Sequence, residues 1–100
     1  MFTFINTFTV SGDSDEFLET LGSMTDYMIK QPGFLSTRLY RSLWKEKTFV
    51  EVAVWDSADS HREAAGSQAF QEFIPRLMKL TTADPGGYEL LKSHDANSGG

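Results

Sequence analysis

The stretch Phe2-Thr3-Phe4-Ile5-Asn6-Thr7-Phe8-Thr9-Val10 constrains this chain most, because its bulky apolar residues recur on alternate positions. Residues two apart on a strand point the same way, so Phe2, Phe4, Phe8 and Val10 share a face. Phe49-Val50-Glu51-Val52-Ala53-Val54-Trp55 repeats the pattern, with Phe49, Ala53 and Trp55 together. Each of these faces also carries a polar intruder, Asn6 in the first and Glu51 in the second. An amide or a carboxylate on an apolar face costs free energy unless something pairs with it. A pocket that binds a ligand is one explanation.

The segments between and after these strands set the topology. Asp13 with Glu16 three residues later reads as a capping box, and Phe17, Leu21, Met24 and Met28 form the apolar stripe of a helix. Pro32-Gly33 ends that helix near Gln31. Phe34 to Leu43 reads as a second strand, joined through Trp44-Lys45-Glu46-Lys47 to a third over Thr48 to Trp55. Ser57 caps a short helix through Ala65, and Ser67 caps a second piece containing Phe70, Phe73, Ile74, Leu77 and Met78, which Pro75 kinks or ends. Asp84-Pro85-Gly86-Gly87 reads as a turn before a short final strand, Tyr88 to Leu91. The expected domain is 1–92, and the small, polar residues 93–100 are expected to form a disordered tail that includes His94.

The order β-α-β-β-α-β is the ferredoxin-like α+β unit with an antiparallel sheet. Its helices cover one sheet face. The other face would show Ile5, Val50, Val52 and Val54, too much apolar surface to leave in water, and predicts a homodimer built sheet to sheet.

Composition narrows the function. One hundred residues make one domain with a modest core. A net charge of −5, without a basic cluster, argues against nucleic acid and against an anionic membrane surface. The absence of cysteine removes disulfides, thiolate chemistry and zinc–sulfur sites. No apolar run approaches membrane-spanning length, and no basic signal region precedes the first strand, so a cytoplasmic protein is the expectation. Thirteen aromatic residues suit a packed core or a pocket for a flat ligand.

Three segments carry a family resemblance. They are Phe4 to Val10, Gln31-Pro32-Gly33-Phe34-Leu35-Ser36-Thr37-Arg38-Leu39-Tyr40-Arg41-Ser42, and Phe49 to Ser57. In order and spacing they resemble the antibiotic biosynthesis monooxygenase family of dimeric α+β barrels, over roughly residues 2 to 91. Some members oxidise anthrones or phenols to quinones with molecular oxygen (O2) and without a cofactor. In those, a strand-one Asn and a strand-three Trp line the pocket, which fall on Asn6 and Trp55 here. The family often has Asn at the place of Glu51, so this chain departs there. Heme-degrading relatives ligate iron through a His on the last helix; near Phe73-Ile74 this chain offers only apolar residues. No cofactor and no metal site are implied.

Four residues are therefore candidates for catalysis. Asn6 and Trp55 carry N–H donors for a developing oxyanion, unless Trp55 is simply core and Asn6 bonds a nearby backbone. Glu51 is a base if burial raises its pKa, or else half of an ion pair with Arg38 or Arg41. His61 would shuttle protons, or stand exposed on its short helix. Phe4 and Phe8 flank Asn6 on its face, Ser36, Arg38 and Tyr40 share one face of the second strand, and Met24, Met28, Phe70 and Phe73 supply an apolar wall. These nine complete the expected substrate-binding set. The resulting reading is a cofactor-independent monooxygenase acting on a polycyclic aromatic in secondary metabolism. Two alternatives stand beside it, an oxygen-independent cyclase or isomerase with Glu51 as base and a non-catalytic binding dimer.

Overall fold

Alternation carries the first and third strands into the middle of a sheet. The computed structural model describes residues 1–96. The chain runs β1 (Phe2–Val10), α1 (Ser14–Met28), β2 (Phe34–Arg41), β3 (Thr48–Trp55), α2 (Ala58–Gly66), α3 (Gln68–Gln71), α4 (Ile74–Met78) and β4 (Thr81–Tyr88). All neighbouring strands are antiparallel, in the order β2-β3-β1-β4. This is the α+β arrangement expected from the sequence.

Helix entry follows the capping residues. The Asp13 carboxylate accepts from the Glu16 backbone N–H at 2.9 Å, and Ser57 and Ser67 cap α2 and α3 in the same way. Pro75 does not break a helix. It sits in the first turn of α4, where its missing N–H costs nothing. Tyr27, to which the sequence assigns no role, shares a 2.7 Å hydroxyl contact with Ser67 and so ties α1 to the start of α3.

The last strand departs from expectation. Asp84-Pro85-Gly86-Gly87 is not a turn but the second half of β4, and residues 89–96 have no helix or strand. Its position at the sheet edge explains the tolerance, since an edge strand can carry proline. Gly87 is required there, because a Cβ would stand 2.7 Å from the Phe2 ring. The remaining residues of the expected tail, 97–100, lie outside the described residues.

The β2–β3 register shifts between Phe34 and Ser36, so Leu35 is an extra residue on β2. Phe34 opposes Trp55, and beyond the bulge Thr37 opposes Ala53 and Leu39 opposes Glu51. Ser36, Arg38 and Tyr40 consequently oppose Val54, Val52 and Val50, on the face turned away from the helices.

Helices cover the other face and divide the core in two. Phe8, Val10 and Phe49 pack with Phe17, Leu21, Met24, Leu77 and Leu80. Ala53 and Trp55 pack with Ala64, flanked by Phe2, Phe4, Met28 and Phe34. The polar row, Asn6 opposite Glu51, lies between these two clusters.

Candidate active site

Because the row between the clusters is polar, the helices do not close down on it, and a cavity of about 370 Å³ remains. That volume is ordinary for a small-molecule site. Its floor is the sheet, with Phe4, Asn6 and Phe8 from β1, Glu51, Ala53 and Trp55 from β3, and Pro85 from the edge strand. Its roof is helical, with Leu21, Met24, Thr25 and Met28 from α1, His61 and Ala65 from α2, and Phe70 from α3.

Three buried polar side-chain atoms among the described residues have no hydrogen-bond partner: Asn6 Oδ1, Thr20 Oγ1 and Trp55 Nε1. Two of these belong to residues lining the cavity. Leaving a buried donor or acceptor unpaired costs about 1–3 kcal/mol, so such groups mark a place where a ligand would complete the bonding. Trp55 is only 1% exposed, and its ring packs edge-on to Phe34 at 5.3 Å. It is thus a core residue that also keeps a free donor.

Glu51 takes part in no ion pair among the described residues, where the one salt bridge joins Arg62 to Asp59 on the surface. Arg38 is on the far sheet face, and the Arg41 guanidinium lies over the Phe49 ring, 5.8 Å from its centre. Burial without a cation raises the Glu51 pKa above the ordinary carboxylate value. Such a group holds its proton longer and is a stronger base once it has lost it.

His61 is neither exposed nor a cap. Its ring stacks on Phe4 at 4.3 Å and meets Trp55 edge-on at 5.6 Å. Burial lowers its pKa, so at neutral pH it stands as neutral imidazole.

A family model described as antibiotic biosynthesis monooxygenase matches residues 1–76. The chain belongs to the antibiotic biosynthesis monooxygenase family. Deoxynogalonate monooxygenase from Streptomyces nogalater is 33% identical over 84 residues, which cover 84% of this chain and 71% of that protein. The crystal structure of SnoaB, a cofactor-independent oxygenase from the same organism, superposes with a TM-score of 0.88 at 30% identity, covering 92% of this chain and 94% of that one. A conserved protein from Methanosarcina mazei Go1 shares the fold alone, with a TM-score of 0.79 at 18% identity over 87% of this chain and 89% of its own. Membership and these relatives make the chain a monooxygenase-type enzyme of antibiotic biosynthesis. Among the described residues, no helix is long and apolar enough to cross a membrane.

Within this family member, the fold brings Asn6, Glu51, Trp55 and His61 into one cavity, along with Phe4, Phe8, Met24, Met28 and Phe70. Four expected lining residues fall elsewhere. Ser36, Arg38 and Tyr40 are turned to the opposite sheet face by the Leu35 bulge, and Thr37 takes the cavity position instead. Phe73 packs against the core cluster around Phe8 and Phe17, while its neighbour Ile74 reaches the cavity. Pro85 is hidden by its turn-like context, and Phe34 has no polar group of its own to mark it as lining a site.

Proposed function

We propose that this protein is a cofactor-independent monooxygenase that oxidises a polycyclic aromatic of the anthrone or phenol type in secondary metabolism. The supporting observation is the combination of a free Trp55 N–H, a free Asn6 carbonyl and an unpaired buried carboxylate in one apolar cavity. Oxygen in its triplet ground state reacts slowly with closed-shell molecules, but a carbanion or enolate can pass it one electron.

In this reading Glu51 takes a proton from the substrate's reactive carbon. Trp55 Nε1–H donates to the substrate oxygen on which charge accumulates, and Asn6 orients a neighbouring substrate hydroxyl through Oδ1. The resulting anion transfers an electron to oxygen, and the radical pair combines to a carbon-bound hydroperoxide. Loss of water then gives the ketone of a quinone. Overall a CH2 group and O2 become a carbonyl and water, so the substrate supplies every electron and no outside reductant is needed. The relative named as a cofactor-independent oxygenase supports the same balance.

The test is conversion of a 1,8-dihydroxyanthrone under air and under argon with no added cofactor. Quinone formed above the uncatalysed rate in air alone is the expected result. Equal turnover under argon would favour the oxygen-independent isomerase or cyclase, which would use the same Glu51 base.

The reading includes a homodimer through the sheet face that the helices leave uncovered. Ile5, Val50, Val52 and Val54 stand half-buried there, beside exposed Tyr40 and Tyr88. An apolar band of this kind favours a second copy over water. Light scattering during size exclusion should give about twice the chain mass of 11.2 kDa. A monomeric mass at micromolar concentration would remove the dimer.

A further inference from the structure

We infer that Glu51 makes the cavity a charge filter, selecting a ligand whose buried part is electrically neutral and rejecting one that carries a carboxylate into it. The inference rests on the aromatic-substrate reading above and narrows it to polycyclic phenols that bring no carboxylate into the cavity. Any carboxyl group on the precursor that would enter the cavity must then be absent, or removed by an earlier esterification or decarboxylation.

The chain has nine Lys and Arg residues, yet none lines the cavity. The two arginines of β2 are the nearest in sequence register to Glu51, and neither serves it. Arg38 opposes Val52 on the far face, and Arg41 is engaged over Phe49. His61 supplies no positive charge at neutral pH, because its stacked, half-buried ring favours the neutral form. The wall thus holds one acid and no cation.

A neutral phenol gains on entry. Its hydroxyl can donate to Glu51 or to Asn6 Oδ1, and its carbonyl can accept from Trp55 Nε1, the two free atoms of the site. A carboxylate can accept from Trp55 Nε1–H but gains no counter-charge, and it is placed beside Glu51 where little water screens the repulsion. Either the ligand binds weakly, or Glu51 must first take up a proton.

The experiment compares 1,8-dihydroxyanthrone-3-carboxamide with the 3-carboxylic acid, probes of like size that differ in charge. Binding is measured calorimetrically under argon at pH 7.5, so that turnover does not intrude. The acid should bind at least about 30-fold more weakly. Two variants locate the cause. Glu51→Gln removes the charge and should narrow the gap at least threefold. Leu39→Lys adds a cation directly across from Glu51 at a position 44% exposed, which a lysine can occupy without disturbing the core, and should also narrow it.

A gap below threefold in the wild-type protein overturns the filter, as does a gap that both variants leave unchanged. Discrimination without quinone formation in air keeps the filter and removes the oxygenase reading. Equal binding with oxidation in air does the reverse, and failure of both probes to bind removes the two together.

Discussion

Replacing Trp55 with phenylalanine lowers turnover of a 1,8-dihydroxyanthrone about 10²-fold or more, with the loss falling mainly on kcat. Removing one preorganised donor to a developing oxyanion typically costs 10²–10³ in rate. The substitution keeps an aromatic ring beside Phe34 but deletes the indole N–H, the donor that has no protein partner. A smaller ring also leaves a void at a site only 1% exposed, which should cost about 1–2 kcal/mol and roughly 4–16 °C in Tm. Kinetics below the melting range of the variant separate the two effects. Full activity from a folded Trp55→Phe protein would show that the N–H is not used.

The Glu51→Gln substitution acts on function and stability in opposite directions. Turnover should fall by about 10²–10⁴, the usual contribution of a general base. Stability should rise at neutral pH, because an amide of the same shape replaces a buried carboxylate with no ion pair among the described residues. The sign follows from proton binding. Burial raises the folded-state pKa above the unfolded value, so between those two values the folded protein holds the proton that the unfolded chain releases. Wild-type stability therefore declines as pH rises through that window, and the penalty is complete above the folded pKa. Below the unfolded pKa the two proteins should match. Urea denaturation at several pH values reads the divergence, and a variant that is less stable at pH 8, or fully active, contradicts this account of Glu51.

Much of this site could be read from the two central strands. Asn6 and Glu51 stood out because each broke a run of alternating apolar residues, and the register pairs them directly. The α1 stripe was equally plain, and the side chains of Leu21, Met24 and Met28 reach the cavity. Three things were not legible. The Leu35 bulge leaves no mark in the pattern, since Phe34-Leu35-Ser36 fits a regular strand as well as an irregular one; it is the β3 partner that sets the shift. The edge strand was concealed by Asp84-Pro85-Gly86-Gly87, whose residues carry strong turn preferences that pairing with β1 overrides. Phe73 and Ile74 are both apolar and adjacent, and only the break between α3, which ends at Gln71, and α4, which starts at Ile74, decides which of them reaches the cavity.

The bulge in β2 also bears on how such a protein can change over time. One strand supplies Phe34 and Thr37 to the cavity and Ser36, Arg38 and Tyr40 to the opposite surface. Point substitutions can therefore alter ligand preference and the outer surface independently, because neighbouring positions serve different selective pressures. A one-residue deletion past the bulge cannot, because it would slide the rest of the strand by one place and exchange the two sets beyond that point. Leu35 is the exception: it has no partner on β3, so its loss would remove the bulge and keep every later pairing, and changes of length in β2 should be confined to this position.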